Sequence, residues 1–152
     1  AFRKDLKEAS PLKVREYFAR GFACVVGYED TDINEYKEFD SYVPKNFDCL
    51  ISKGRYAIPY PSDSSPQLVS LLQNFSGIND PSVGTILSLM TKKESLSLWH
   101  IIQLISTENR SIAFDRLNEL IPAPSGVTKE GVLALNKTML LDWRQEIELK
   151  MD

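Results

Sequence analysis

Few residues of this sequence could form a catalytic cysteine–histidine pair. The chain holds two cysteines, Cys24 and Cys49, and one histidine, His100. A thiolate nucleophile needs a neighbouring base, which an aspartate could orient. No cluster of residues surrounds either cysteine as a strained nucleophile elbow requires. His100 follows Trp99 in an apolar segment with helical spacing, where it is expected to make a hydrogen bond at a helix-packing surface. The sequence therefore predicts no catalytic residues.

A run of carboxylates at residues 29–40 resembles the opening of a calcium-binding loop, with Asp30 and Asp32 as its first alternating ligands. An EF-hand needs glycine at the sixth position and a bidentate glutamate at the twelfth. Those positions hold Glu35 and Ser41, so the pattern fails. The run is expected to be a solvated acidic loop, with weak calcium binding as the open alternative.

Cofactor and transition-metal sites are not predicted. The seven glycines are scattered and form neither of the two glycine-rich phosphate-binding motifs. One histidine and two cysteines far apart in the chain are a poor ligand set for zinc or iron.

Aromatic residues are concentrated in the first sixty positions, and tyrosine combines an apolar ring with a polar tip that suits interfaces. These rings are expected to cover the helical core, and a protein interface is the alternative use. Together with the acidic run they give the candidate interaction residues: Asp30, Asp32, Tyr36, Tyr42, Tyr56 and Tyr60.

Length and charge narrow the functional classes. The 152 residues are 43% hydrophobic and 26% charged, with a formal net charge of −3, which is typical of one globular domain. No broad basic surface for nucleic acid is indicated, and no stretch approaches the roughly 18 apolar residues of a membrane span.

Ala1 is not a start methionine, so a fragment or a processed product is expected. Cys24 and Cys49 could pair in a disulfide or remain reduced, and both alternatives stay open.

The chain is expected to form a single domain, 1–152, that divides near residues 59–66, where the Pro- and Ser-rich segment 60–66 is predicted to be a turn or short linker. Residues 1–61 favour a mixed α+β or irregular region. It contains a helix after Ser10 and a strand over 22–26. Two more short strands are predicted at 48–52 and 56–58, with a turn at Lys53-Gly54.

Residues 62–152 favour helices, because capping residues repeatedly precede apolar residues at helical spacing. The fold class is therefore mainly α, a body of helical hairpins or a small helical-repeat-like stack. Trp99 and Trp143 lie on apolar stripes and are expected to be buried in one core. The predicted helix starts are Ser65-Pro66, Asp80-Pro81, Ser95, Thr107, Thr128 and Asn136.

Residues 96–143 resemble a helical segment of bacterial FecR-like proteins, the iron-dicitrate-type sigma regulators of the cell envelope. The run P-x-P-x-G-V-T-K-E-G is the most specific part of the match, and residues 1–90 have no counterpart. The resemblance implies a shared helical module at the envelope and carries over neither a signalling activity nor catalytic residues. The matching residues are Leu98, Trp99, His100, Arg110, Asp115, Arg116, Leu117, Pro122, Pro124, Gly126, Val127, Thr128, Glu130, Gly131, Met139, Leu140 and Trp143.

The same block has a physical interpretation of its own. Pro122 and Pro124 end the preceding helix in an extended segment. Thr128 is placed to cap the next helix. Asp115 and Arg116 cannot face each other as neighbours on a helix and are expected to bond to the backbone of the proline segment. We call residues 122–131 the proline corner and interpret it as a structural connection between two helices rather than as an active site.

Three functional classes remain. The first is a non-enzymatic protein-interaction or structural module that binds another protein or an assembly at the periplasm or cell envelope. The second is a cytoplasmic regulator or toxin-neutralising protein whose acidic loop meets a basic partner. The third is a small hydrolase with a site that one sequence does not reveal. The first is favoured, because no catalytic motif occurs and because of the resemblance.

Overall fold

The computed structural model describes residues 25–26, 41–42 and 46–151, and the chain divides into two compact units, Ala1–Lys45 and Asn46–Asp152. In the first unit, strands β1 (Val25–Val26) and β2 (Ser41–Tyr42) pair in parallel. The strand expected over 22–26 is thus found at its last two residues. The helix after Ser10 lies outside the described residues.

The second unit begins with an antiparallel hairpin of strands β3 (Phe47–Ile51) and β4 (Ala57–Pro61). Both predicted strands are confirmed. The turn differs in detail, because Arg55 rather than Gly54 has a positive φ, 64°. This conformation fits a three-residue loop whose last residue is left-handed. Gly54 is needed for a different reason: a Cβ there would lie 2.8 Å from the Tyr56 ring and 3.0 Å from the Ser76 backbone.

The turn or linker predicted at 60–66 is wrong at its first two residues, because β4 continues to Pro61. Prolines are tolerated in a strand where their nitrogen faces away from the ladder. The turn therefore starts only at Ser62 and leads directly into the first helix.

Helices dominate the rest of the described chain, which confirms the mainly α class. The apolar stripes of these helices contribute to one core, and α3 is buried on nearly all of its sides. The six α-helices of residues 46–151 are α1 (Pro66–Gln73), α2 (Val83–Leu89), α3 (Ser95–Ile102), α4 (Thr107–Leu120), α5 (Lys129–Leu133) and α6 (Lys137–Met151), with a 3₁₀ turn at Lys92–Glu94 before α3.

Three of the predicted caps are confirmed by side-chain hydrogen bonds. The Ser65 hydroxyl accepts from Leu68 N at 3.3 Å. The Thr128 hydroxyl accepts from Gly131 N, and the Asn136 side-chain oxygen accepts from Met139 N, each at 3.1 Å. These caps follow from local sequence alone, because the donor and the acceptor are three residues apart.

At the other three predicted starts the capping residue differs, although α3 and α4 begin at Ser95 and Thr107 as predicted. α4 is capped by Ser106 rather than Thr107. Ser95 is the first residue of α3 rather than its cap, and Thr91 and Glu94 form a capping box one turn earlier. The Asp80 carboxylate accepts hydrogen bonds from Ser76 and Ser82 and closes the loop before α2, which begins at Val83.

Both tryptophans are buried in this core, as predicted. Trp99 is 6% exposed and Trp143 is fully buried. Each indole N–H donates to a backbone carbonyl of another element, Trp99 to Leu140 at 2.8 Å and Trp143 to Ile121 at 3.1 Å. The rings therefore fix α3 and the end of α4 against α6.

The proline corner between α4 and α5 is bonded differently from the prediction. Asn118, rather than Asp115 or Arg116, reaches the proline segment: its side-chain oxygen accepts from Ala123 N at 2.9 Å. Asp115 accepts from Lys129 Nζ at 2.7 Å, across the corner. Arg116 donates to Met90 O at 2.8 Å. The prediction was wrong because spacing along one helix does not show which neighbouring element a long side chain reaches.

Candidate functional site

The hairpin of β3 and β4 has two edges, which its hydrogen-bond pattern distinguishes. Ser62 N donates to Asn46 O, and Ser52 N donates to Tyr56 O, each at 2.9 Å. Residues of an antiparallel pair alternate between bonding to each other and pointing their backbone groups outward. In this register the pairs Asp48–Tyr60 and Leu50–Ile58 bond to each other. The backbone N–H and C=O groups of the remaining residues in each strand point away from the partner strand.

The outer edge of β4 is closed. Pro59 and Pro61 stand at outward positions and have no N–H group to offer. Their carbonyls are also bonded: Pro59 O accepts from the Ser97 hydroxyl of α3 at 2.6 Å, and Pro61 O accepts from Ser64 N at 2.9 Å. Another strand could not add to this edge.

The outer edge of β3 is different, and we call its residues Phe47, Cys49 and Ile51 the β3 edge. Their backbone groups point away from β4, and no strand pairs with them among residues 46–151. Ile51 is 61% exposed. An edge that offers unpaired N–H and C=O groups is a template for another strand.

Cys49 lies at the centre of the β3 edge, is half-buried and forms no disulfide. Burial raises the pKa of its thiol above the ordinary value, although a backbone hydrogen bond with Ile58 acts in the opposite direction. The thiol therefore stays protonated near neutral pH and is a poor nucleophile.

The candidate tyrosines are placed unequally. Tyr56 is half-buried and packs on Phe75 with ring centroids 5.8 Å apart. A Cβ on Gly77 would lie 2.8 Å from its hydroxyl, so the ring lies directly against that loop. Tyr60 is half-buried and pairs with Asp48 across the hairpin. Both rings pack against the core.

The other candidate interaction residues lie earlier in the chain. Tyr42 belongs to β2, whereas Asp30, Asp32 and Tyr36 lie outside the described residues. Their role in binding stays a prediction.

The β3 edge was not predicted from the sequence. Aromatic and acidic composition does not indicate which edge of a hairpin is open. A usable signal was present in the two prolines. Pro59 and Pro61 are two positions apart in a strand, so their nitrogens share one edge, and that edge must be the outer one. The partner strand then carries the open edge.

His100 lies beside Trp99 and Arg144, where α3 meets α6. Its ring meets Trp99 edge-on at 5.0 Å, and the Arg144 guanidinium stacks on the same indole at 5.3 Å. The hydrogen bond expected of His100 is not made by its Nε2 atom, which is buried and has no hydrogen-bond partner. Burial, with the charge of Arg144, lowers the pKa of His100 to about 3. The imidazole is therefore neutral at physiological pH.

This shifted pKa predicts that the protein loses stability in mild acid. The ordinary histidine pKa is about 6.5, so between pH 6.5 and about 3 the unfolded chain binds a proton that the folded chain does not. Stability is fully present above pH 6.5 and falls below it, by about 2 kcal/mol between pH 7 and pH 5. Urea unfolding at the two pH values measures the loss.

The control for this prediction is His100→Gln, which has no titrating ring. It is expected to show a much smaller difference between pH 7 and pH 5 than the parent chain. Equal pH dependence in both proteins would show that the loss does not come from His100.

Neither a metal cluster nor a membrane-spanning helix occurs in the part of the chain that the structure describes. Within residues 46–151, no group of three or more histidine, cysteine, aspartate or glutamate side chains is arranged to hold a metal ion. None of the described helices is long and apolar enough to cross a membrane. Comparison with protein-family models, with curated proteins and with solved structures gives no significant match to this chain.

Proposed function

We propose that this chain is a non-enzymatic protein-interaction module that binds an extended segment of a protein chain along the β3 edge. The observation that carries the proposal is the contrast between the two edges of one hairpin. The edge of β4 is closed by prolines and by Ser97, whereas the edge of β3 has no partner strand among the described residues.

An extended polypeptide is the ligand that matches this edge. Outward N–H and C=O groups recur at every second residue, at Phe47, Cys49 and Ile51. Another strand presents acceptors and donors at the same repeat, and this is the basis of recognition by strand addition. The three side chains lie on one face, so the bound segment is expected to carry apolar residues at alternate positions.

The helical body supports the hairpin rigidly. Lys53 N donates to Gln73 O at 2.7 Å, and Gly54 N donates to Phe75 O at 2.9 Å. These bonds fix the hairpin turn to the last residue of α1 and to the loop that follows it, while Ser97 fixes β4 to α3. A preorganised edge loses less conformational entropy when a strand adds to it.

We place the module in an assembly of the bacterial periplasm or cell envelope. The support for this location is the resemblance of residues 96–143 to the helical segment of FecR-like envelope proteins. A repeat-like stacking of the helices belongs to the same proposal, because the helices follow one another with short connections.

The test is a display selection of random linear peptides against two variants, Cys49→Ala and Cys49→Pro. Because the Cys49 N–H points away from β4, proline removes an outward donor without breaking the hairpin ladder. Alanine keeps that donor and serves as the matched control. Selected peptides are expected to bind Cys49→Ala at least about tenfold more tightly than Cys49→Pro, and to shift the NMR signals of residues 47–51.

Peptides that bind both variants equally, or that shift signals only outside β3, would contradict the proposal. Equal melting curves of the two variants in circular dichroism establish that the comparison reports on binding rather than folding.

A further inference from the structure

We infer that the extended segment bound at the β3 edge is strand β3 of a second copy of this chain. The inference rests on the proposed function and names its partner. The two strands would run antiparallel about a two-fold axis at Cys49 and join two hairpins into one four-stranded sheet.

The β3 edge is complementary to itself in this arrangement. With Cys49 opposite Cys49 of the second copy, Phe47 stands opposite the second copy's Ile51, and the reverse pair is identical by symmetry. All three outward residues of each copy then fall at hydrogen-bonded positions, where opposite residues exchange both of their N–H···O bonds. Each backbone group of the β3 edge obtains a partner, because the strand is five residues long and Cys49 is its central residue.

The two pairs of Phe47 with Ile51 that this symmetry creates are favourable. Ile51 is 61% exposed in a single copy. In the dimer it would be covered by the aromatic ring of Phe47 of the second copy. Aromatic and β-branched side chains are among the stabilising cross-strand pairs of antiparallel sheets. The exposed apolar surface of Ile51 is thereby removed from water.

Asp48 sets the expected salt dependence. It is exposed and lies on the other face of β3, where symmetry places it opposite Leu50 of the second copy. The two Asp48 carboxylates become diagonal neighbours about 7–8 Å apart, so they repel each other weakly. Because salt screens exposed charges, higher ionic strength is expected to strengthen this dimer.

The size of the contact predicts a reversible dimer. Stable interfaces bury about 1,200–2,000 Å² in total, and one five-residue strand from each copy supplies only part of that area. We therefore expect monomer and dimer to exchange as the protein concentration changes.

Sedimentation velocity over about a hundredfold concentration range tests the inference. The Cys49→Ala variant is expected to dimerise, and Cys49→Pro to have a dissociation constant at least about tenfold higher. Ile51→Lys provides a second variant at an exposed position, in case proline disturbs the hairpin. Lysine places a charge against Phe47 of the second copy and is expected to weaken the dimer in the same way.

A chain that stays monomeric throughout, or three variants with equal dissociation constants, would overturn the inference. If selected peptides still bind the β3 edge in that case, the proposed function stands and only the identity of the partner is wrong. If peptides also fail to bind, both proposals are wrong.

Discussion

Replacing Trp143 with alanine is expected to lower the free energy of unfolding by about 3–5 kcal/mol, the usual cost of deleting a large buried aromatic side chain. The indole is fully buried and meets the Phe114 ring at 5.1 Å. Its N–H donates to Ile121 O at 3.1 Å, so the substitution also leaves a buried carbonyl without its donor. Urea unfolding followed by circular dichroism measures the change.

Leu149→Ala is the matched control for this prediction, since Leu149 lies on the same helix, α6, but is 73% exposed. It is expected to change stability by no more than about 0.5 kcal/mol. A Trp143→Ala protein that unfolds at the same urea concentration as the parent chain would show that this ring does not belong to the core.

The second large effect is expected at Arg110, which is 7% exposed. Its guanidinium donates to three backbone carbonyls, Ile102 at 2.9 Å, Leu133 at 2.8 Å and Ile105 at 2.9 Å. These bonds join the end of α3 and the end of α5 through a residue on α4. A positive charge beside the end of α3 also complements the helix dipole.

Arg110→Met is therefore expected to destabilise the chain by about 3 kcal/mol or more, because it leaves buried acceptors unpaired. Arg110→Lys keeps a charge but not the forked geometry, so an intermediate loss is expected. Urea unfolding compares the three proteins. A loss below about 0.5 kcal/mol in Arg110→Met would mean that water replaces these bonds without cost.

The features that the sequence predicted correctly are those decided by neighbouring residues. A cap such as Ser65 or Thr128 bonds to a backbone group three residues away, so its partner is visible in the sequence. Trp99 and Trp143 were predicted to be buried because they stand on apolar stripes of their own helices. The β3–β4 hairpin followed from two short apolar runs around a turn.

Contacts between distant elements could not be predicted in the same way. Arg110 looks like a solvated helix residue until α3 and α5 bring their carbonyls to it. Glu94 is similar: it is 2% exposed, and the hydroxyl of Ser64, thirty positions earlier, donates to it. Only the packed structure shows that these charged groups serve as internal connectors.

The candidate site illustrates the same distinction. Tyr56 and Tyr60 were selected for their residue type, and both pack against the core. The β3 edge instead depends on register, since a shift of one residue would direct the groups of Asp48 and Leu50 outward. Pro59 and Pro61 identify the register, but only once the two strands are known to pair.

Amide hydrogen exchange along β3 tests the central claim most directly, with the Cys49→Ala variant saturated by a selected peptide. In the free protein, kept at a concentration where sedimentation shows only monomer, the amides of Asp48 and Leu50, which bond to β4, should exchange slowly, and those of Phe47 and Ile51 quickly. Binding along the β3 edge predicts that the amides of Phe47 and Ile51 become protected while those of Asp48 and Leu50 stay as they were. Unchanged exchange at Phe47 and Ile51 in the complex would contradict the account.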